Sequence, residues 1–498
     1  MSAIELLPSE SLVPFDALKP SLLTLVWQKP GLTFDPLHYC FCRPCDGEMN
    51  ASWARGRRTL LAERYGGNGL AENAGGVRCG LLGDIQIKGS GRNPLAGDQT
   101  DYWHKHGALS LQDGLKEAFW SSVFGAVLPF GAATSFAVVS TGSRFSTEVD
   151  GFRASAPRGL LLRKPLLRPA HFMRSIYMKT TGSHKNLLND SARTKLALSV
   201  LPAAFEAELG VPCRSVDDQL SALFEVFRRA AHQISAARIK RVCHGSLTPS
   251  NFALNGCWID FGTATALGSY RDVLTAPGAH SVWSQEASLY ETIFDLTFYI
   301  SKYKFGDVAR HQEFSDVVAQ SFRDSLVASE SLYILHLFGL SEFSARRVPS
   351  ELLVRLIEVA RAIMQLEKGL PSAYFGDNRH EMPAPASIVS LCVAITKCWS
   401  AGSVRDAASI LSGKLPAGLV TGLTRGVFEL RDACILSGID IDTVKRESIR
   451  INGPRNALYR RDFDQKINDL VNGKLAAIEA ELSTWISTWV GLLRDPDS

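Results

Sequence analysis

The sequence lacks an excess of charge of either sign. Its 54 Lys and Arg residues against 50 Asp and Glu residues leave a formal net charge of +4 at pH 7. Because a nucleic-acid-binding surface needs clustered basic residues, this balance gives no reason to expect a nucleic-acid partner. A composition of 46% hydrophobic and 21% charged residues over 498 positions instead indicates a folded protein with room for two or three domains.

Signals for export or membrane insertion are also lacking. The start, "MSAIELLPSESLVPF", has no basic segment followed by an apolar run and a small-residue cleavage site, so we expect a cytoplasmic protein. An uncharged run at 118–142 is long enough to span a bilayer, but "LPFGAAT" at its centre favours a buried helix, a turn and a central strand. We therefore expect no membrane span.

The ten cysteines show no framework spacing, which suits reduced thiols better than disulfides. The stretch "HYCFCRPC" holds four side chains able to bind zinc, but not in the paired spacing of structural zinc sites, so a zinc site is the less favoured interpretation. Its four candidates are His38, Cys40, Cys42 and Cys45. Two further pairs are interpreted as surface or packing residues, His104 with His106 and Cys243 with Cys257.

The apolar pattern changes along the chain and predicts four segments. Residues 1–58 mix apolar pieces with prolines and are interpreted as an extended lead-in. Residues 59–175 alternate short apolar runs with glycine-rich turns, which predicts a small sheet with one helix in "SLQDGLKEAFWSSVFGAV". Helical spacing dominates 176–385 and, as a C-terminal extension, 386–498. The chain is therefore predicted to belong to the α+β class.

The last predicted helix carries an apolar stripe at helical spacing. The stripe consists of Ile478, Leu482, Trp485, Trp489 and Leu493. Such a stripe either faces the core or binds a partner protein, and core packing is the favoured interpretation.

Candidate chemistry is concentrated in "CHGSLTPSNFALNGCWIDFGTAT", residues 243–265. Asn251 lies nine residues before Asp260, a hairpin length that brings an amide and a carboxylate to one end of two short strands. Both side chains supply hard oxygen ligands, which suits magnesium or manganese rather than zinc. The loop therefore predicts a divalent-cation site of the kind that phosphoryl or nucleotidyl transfer requires.

Cationic candidates lie upstream. Lys88 ends the predicted strand "GDIQIKG" and Glu117 lies inside the predicted helix, so a pair between them would hold the ammonium toward a phosphate. Arg163 and Arg168 follow a strand-like run of leucines and are within reach of a nucleotide's phosphates. The glycine-rich stretch at 65–84 would allow backbone amides to approach phosphates closely. Each feature alone is ordinary, and only the combination is informative.

Taken together and in order, these pieces resemble the SelO (YdiU) family of kinase-fold protein adenylyltransferases. The matching stretches are "GDIQIKGSGRNPL", "LKEAFWSSVFGAVLPFGAATSFAVVSTG", "GLLLRKPLLRPAHF" and "CHGSLTPSNFALNGCWIDFG". The resemblance covers about residues 65–265. It implies a protein-kinase-like two-lobed fold with an additional C-terminal helical region. It also implies that ATP binds inverted relative to ordinary kinases, so that AMP is transferred to a protein or peptide acceptor.

The same resemblance assigns roles to the candidates, with ATP and Mg²⁺ or Mn²⁺ as the cofactors. Its residue roles are as follows: Lys88 and the adjacent Gly89 contact the phosphates, Glu117 is the helix partner of Lys88, Arg163 and Arg168 hold the inverted nucleotide, and Asn251 and Asp260 bind the metal.

The chain departs from the family at two loop positions and at its end. Ser250 stands where the family has an acid before the metal-binding asparagine, and Ser246 stands where ordinary kinases have their loop aspartate. The chain ends "LLRDPDS", without the terminal cysteine or selenocysteine of many members.

A hydroxyl acceptor benefits from a base by a factor of about 10² to 10⁴, whereas a carboxylate is already ionised at neutral pH. Three interpretations stay open. They are slow AMP transfer to a hydroxyl, adenylation of a peptide's C-terminal carboxylate as in bacteriocin or microcin maturation, and a catalytically dead nucleotide-binding scaffold. An ordinary phosphotransferase is less favoured, because Ser246 replaces its base.

Overall fold

The computed structural model describes residues 3–70, 72–98, 100, 106–149, 152–180, 185–275, 278–374, 387–412, 414, 417–452, 462–473 and 475–495. The strands are β1 Leu12–Pro20, β2 Thr24–Gln28, β3 Glu48–Met49, β4 Trp53–Glu63, β5 Cys79–Leu82, β6 Ile85–Lys88, β7 Leu109–Ser110, β8 Ser135–Val149, β9 Phe152–Arg163, β10 Val242–Cys243, β11 Thr265–Ala266, β12 Val273–Leu274 and β13 Ala373–Tyr374. The α-helices are α1 Leu111–Val127, α2 Ser191–Ser199, α3 Leu201–Leu209, α4 Val216–Ile239, α5 Ala287–Ile300, α6 His311–Leu337, α7 Glu342–Ala345, α8 Ser350–Lys368, α9 Ile388–Cys398, α10 Val404–Ser412, α11 Ala417–Leu436, α12 Ile441–Asn452, α13 Asp462–Asn472 and α14 Leu475–Leu493.

The protein is mixed α+β, with a large antiparallel sheet followed by helices. Within the described residues the main path of the sheet runs β1-β4-β5-β6-β9-β8-β2, with β3 paired to β8 and β7 to β9. The predicted lead-in 1–58 therefore contributes both ends of this path, β1 and β2. The predicted boundary after residue 58 also falls inside β4. The strands predicted around residues 79–88, 135–142 and 158–163 are present as β5, β6, β8 and β9.

Both faces of the sheet are apolar, and successive residues alternate between them. On β8, Ala137 and Val139 pack in one core while Val138 packs in the other. The same alternation places Ile85 and Ile87 of β6 in the core on the side of Ala137. Gln86 and Lys88 consequently face the opposite side, where α1 lies. This register directs polar side chains of the central strands toward one place.

Helix α1 covers that side of the sheet. Ser110 caps its first turn, because the Ser110 hydroxyl accepts a hydrogen bond from the Asp113 amide over 3.0 Å. The run 118–142 forms the rest of α1, a turn with Gly131 at a positive φ of 66°, and the start of β8. The predicted helix, turn and strand are thus confirmed. In the described ranges, no helix has both the length and the apolar character needed to cross a membrane.

The C-terminal helices pack back onto the sheet side of the protein. On α14, Ile478, Leu482 and Leu493 are buried, and Trp489 makes edge-to-face contacts with Phe119 and Trp120 of α1, at centroid separations of 5.6 and 5.4 Å. The interpretation of the stripe as core-facing is confirmed. Binding of a partner protein through the C-terminal helices stays a prediction.

Candidate functional site

A cleft of about 300 Å³ lies between the sheet and two loops of the helical part. Its sheet side is lined by the glycine-rich segment 65–79 and by polar residues of β6 and β9. Its other side is lined by residues from the loops 246–251 and 260–263. Five of the predicted site residues line this cleft, namely Lys88, Arg163, Arg168, Asn251 and Asp260.

Lys88 occupies the centre of the charged groups. Its ammonium forms an ion pair with Glu117 of α1, and its distance to Oδ1 of Asp260 is 2.7 Å. The side chains of Lys88 and Glu117 are 1% and 2% exposed, whereas that of Asp260 is 35% exposed. Charge-assisted hydrogen bonds to two carboxylates fix the ammonium in position. The predicted pairing of Lys88 with Glu117 is therefore present in the structure.

Asp260 is positioned by the hairpin that the sequence predicts. The Ala253 amide donates to the Cys257 carbonyl over 2.8 Å, and the Ile259 amide donates to the Asn251 carbonyl over 3.0 Å. Asp260 then adopts a left-handed backbone with φ of 71°, a conformation that aspartate tolerates better than most residues. Such backbone strain is concentrated at functional sites.

The ionisation of Asp260 is controlled by its cationic neighbours. Burial alone would raise the pKa of the Asp260 carboxyl. The positive charges of Lys88, Arg163 and Arg78 lower the pKa by more than burial raises it, so it lies well below its usual range. Asp260 is therefore a carboxylate at every physiological pH. Its fixed negative charge is available to a cation bound in the cleft.

Asn251 is oriented by the loop that precedes it. Its amide nitrogen donates to the Ser246 carbonyl over 2.6 Å, which leaves the side-chain oxygen as an acceptor. A long contact of 3.4 Å joins that oxygen to the Ser250 hydroxyl. Mg²⁺ commonly binds through one or two protein oxygens together with substrate phosphates. The amide of Asn251 and the carboxylate of Asp260, both lining the cleft, fit that mode.

Arg163 joins the same network from β9. Its Nη1 lies 3.1 Å from Oε2 of Glu117, and its Nε donates to Gln86 over 2.6 Å. Gln86 and Arg163 are directly opposite each other in the β6–β9 register, which explains their contact. Gln86 in turn donates to Glu63 at the end of β4. A continuous chain of polar contacts thus runs from Lys88 through Glu117, Arg163 and Gln86 to Glu63.

Arg168 completes the chain on the far side of the cleft. Its Nη2 lies 3.1 Å from Oε1 of Glu63, and its Nη1 donates to the Ser250 carbonyl over 3.0 Å. The guanidinium also lies over the ring of Tyr65, 4.3 Å from the ring centroid. Burial raises the pKa of Glu63, but Arg168 and His171 outweigh it and hold the pKa at about 2. Arg168 therefore connects the sheet to the loop that carries Asn251.

Sequence reasoning missed three residues of this site. Glu63 and Gln86 are buried inside the network. Arg78 lines the cleft within the glycine-rich segment, and none of the ion pairs of the described residues involves its guanidinium. The available signal for Arg78 was an arginine between glycines, in "GGVRCG", ahead of the strand that carries Lys88.

The lining of the cleft contains more cationic than acidic side chains. Four cationic side chains line the cleft, and among the described lining residues Asp260 is the only acid. The four cations are Arg78, Lys88, Arg163 and Arg168. Three of them pair with Glu117, Asp260 or Glu63, whereas Arg78 takes part in no ion pair of the described residues.

Gly89, predicted to contact the nucleotide, has a different environment. It is not among the lining residues, and its amide donates to the Arg78 carbonyl over 2.8 Å. Its φ is 90°, and a Cβ placed there would lie 2.8 Å from the Gly159 carbonyl. The structure thus gives glycine at this position a packing reason, and nucleotide contact at Gly89 stays a prediction.

The two loop serines, Ser246 and Ser250, lie on the wall of the cleft. The Ser250 and Thr248 hydroxyls are 2.9 Å apart. The buried His244 faces the Ile259 carbonyl at 3.0 Å, and burial lowers the pKa of His244 to about 4. His244 is therefore neutral at pH 7 and supports the backbone of the loop.

The remaining candidates have structural environments. Within the described residues, no group of three or more His, Cys, Asp or Glu side chains has the arrangement of a metal site, so the stretch 38–45 does not form one. His104 lies outside the described residues, whereas His106 accepts a hydrogen bond from the Ala108 amide over 2.9 Å. Cys243 and Cys257 are free thiols that contact different carbonyls, those of His280 and Phe130.

No protein-family model matches the chain, and no curated protein matches it at a significant level.

Proposed function

We propose that the protein has a kinase-like two-lobed fold and is a nucleotidyltransferase that moves AMP from ATP to a protein or peptide acceptor. The observation that carries the proposal is the position of Lys88. Its ammonium is held between Glu117 on a helix and Asp260 on a loop, in a cleft that also contains Asn251. This combination of residues, found in the order that the SelO family shows, supports ATP-dependent transfer and the family resemblance together.

The side chains of the cleft have different roles in the proposed transfer. Lys88 and Arg78 are placed to neutralise phosphate oxygens, and Arg163 and Arg168 are rigid because each is held by a buried glutamate. Asp260 and Asn251 fit a magnesium or manganese ion, which when bound supplies charge for the phosphates of ATP. Preorganised cations of this kind stabilise the charge that develops during transfer.

The acceptor is the point on which two versions of the proposal differ. Transfer of AMP to a hydroxyl would be slow, because the described lining of the cleft offers no carboxylate beyond Asp260 to take the proton of the hydroxyl. A carboxylate acceptor, such as the C-terminus of a peptide, needs no base. The loop serines Ser246 and Ser250 therefore favour acyl-adenylate formation as the second candidate, as in the maturation of a bacteriocin-type peptide.

The reaction is tested by incubating the protein with ATP labelled at the α- or the γ-phosphate, with Mg²⁺ or Mn²⁺. Release of pyrophosphate and an α-labelled product support AMP transfer. Formation of ADP would instead indicate a phosphotransferase, and ATP binding without turnover would indicate a scaffold. Hydroxylamine separates the acceptors, because it cleaves an acyl-adenylate and leaves an AMP–hydroxyl adduct intact.

The decisive variant is Asp260→Asn, which keeps the size of the side chain and removes its charge. We expect it to abolish pyrophosphate release. Asp84→Asn is the matched control, because Asp84 is exposed in the turn between β5 and β6 and lies outside the cleft. Equal activity of the two variants would contradict the proposed role of Asp260. Mass spectrometry of candidate acceptors, searching for the mass of one AMP unit, identifies the target.

A further inference from the structure

A second cavity lies in the helical part, away from the charged cleft. It has a volume of about 370 Å³, within the range of small-molecule sites. Its floor is apolar and consists of side chains from α3, α4, α5 and α6, among them Leu201, Phe205, Leu223, Ile300 and Phe314. We call this cavity the α5 groove. The α5 groove and the charged cleft have no lining residue in common.

One wall of the α5 groove is an irregular turn. Helix α5 ends at Ile300 and continues as a π-helical turn, Ser301–Phe305, which ends at Gly306 with a φ of 70°. Turns of this type are rare in proteins, and many of those that occur are found at functional sites. Ser301, Lys304 and Phe305 of this turn line the groove.

Lys304 is the unusual residue of this wall. It is half-buried beside the apolar floor, and burial lowers the pKa of its ammonium. No carboxylate of the described residues lies within ion-pair distance of it, although Asp307 and Glu313 also line the groove. Asp307 accepts from the Ala309 amide over 3.1 Å, and Glu313 lies 3.2 Å from Arg310. A half-buried cation without a partner costs free energy that an anionic ligand would recover.

We propose that the α5 groove binds a small amphiphile with an apolar body and one anionic group, of the class of medium-chain fatty acids. The apolar floor takes the hydrocarbon, whose burial supplies most of the affinity. Lys304 takes the carboxylate through a charge-assisted hydrogen bond. Lys304 sets the chemistry, since a neutral lipid leaves it unpaired and the other cation that lines the groove, Arg310, already pairs with Glu313.

The test compares dodecanoate with dodecanol, both below their aggregation concentrations, by calorimetry on the full chain. We expect Lys304→Gln to weaken dodecanoate binding about ten-fold or more, the effect of losing one charge-assisted hydrogen bond, and to leave dodecanol binding unchanged. Lys302→Gln is the matched control, because Lys302 belongs to the same turn, is exposed and does not line the groove. We expect this control to change the affinity for neither ligand.

Val317→Asp provides a second variant that preserves the fold, because Val317 is 51% exposed at the rim of the groove. A carboxylate at this position is expected to weaken the binding of both ligands. Absence of dodecanoate binding to the unmodified protein overturns the proposal. So does dodecanoate binding that is equally strong in Lys304→Gln and Lys302→Gln.

Discussion

Glu63 and Arg168 form a buried ion pair at 3.1 Å, with side chains only 1% and 4% exposed. Glu63 ends strand β4 of the sheet, whereas Arg168 donates to the Ser250 carbonyl of the loop beside Asn251. The pair therefore joins the two walls of the cleft. Glu63 also accepts from Gln86, which holds Arg163. One buried carboxylate thus positions both arginines that the sequence suggested for nucleotide binding.

Glu63→Gln should uncouple the two walls. Removing one charge of a buried pair leaves the other uncompensated, and we expect the free energy of unfolding to fall by about 3–5 kcal/mol in urea titrations. ATP affinity, measured where the variant is fully folded, should fall about ten-fold, because Arg168 loses its fixed position.

Glu72→Gln is the control for that experiment. Glu72 pairs with Lys179 at 2.7 Å, but the lysine side chain is 68% exposed, so the pair contributes at most about 1 kcal/mol. Glu72 does not line the cleft. We expect near-normal stability and unchanged ATP affinity. If Glu63→Gln lowered stability but left ATP affinity intact, Glu63 would be structural only.

Two buried histidines should make stability depend on pH. Burial lowers the pKa of His244 and of His171 to about 4 from an ordinary value of 6.5. Between pH 6.5 and 4 the unfolded state consequently binds more protons than the folded state. The contribution of these histidines to the free energy of unfolding is complete above pH 6.5. It is lost as the pH drops to 4, by about 3 kcal/mol per histidine at most.

Urea titrations at several pH values check this dependence. His244→Gln should make the slope of unfolding free energy against pH shallower in this window, because one of the buried histidines with a lowered pKa no longer titrates. An unaltered slope in His244→Gln would show that another group is responsible.

Local pattern was sufficient to predict part of this site. Lys88 ends an alternating strand and Glu117 lies at helical spacing, so their elements follow from periodicity. The hairpin between Asn251 and Asp260 follows from its length. Glu63 gave no such signal, since its partner Arg168 is 105 residues away and only the sheet register brings them together.

The edge strands were missed for a related reason. Pro14 and Pro20 made the lead-in look irregular, yet both lie in β1, at one end of the sheet. Proline is tolerated at such a position because one side of an edge strand needs no ladder hydrogen bonds. Sequence patterns identify elements, but they do not show which strand occupies the edge.

The glycine-rich segment should be intolerant of side chains where it approaches β4. Gly75 has a φ of 146°, and a Cβ there would lie 2.2 Å from the Glu63 carbonyl. Gly75→Ala is therefore expected to displace the segment and reduce both stability and ATP binding. Gly83→Ala isolates backbone strain, because Gly83 has a φ of 60° but no atom within 4 Å of the position that an alanine methyl would take. We expect it to cost about 1 kcal/mol and to leave ATP binding unchanged.

Trp489 distinguishes a core-facing C-terminal helix from a partner-binding one. Its side chain packs against Phe119 and Trp120 of α1, the helix that carries Glu117. Trp489→Ala removes a large buried ring, so we expect the free energy of unfolding to fall by about 3–5 kcal/mol. Chemical unfolding followed by circular dichroism measures this loss.

Trp485→Ala is the matched control on the same helix. Trp485 is only half-buried, with Lys466 5.2 Å from its ring centroid, so its truncation should cost about 1 kcal/mol. If α14 stabilises α1 by packing against it, Trp489→Ala lowers the free energy of unfolding more than Trp485→Ala does. Equal and small losses at both positions would mean that the stripe contributes little to the fold, and would favour a partner-binding role for it instead.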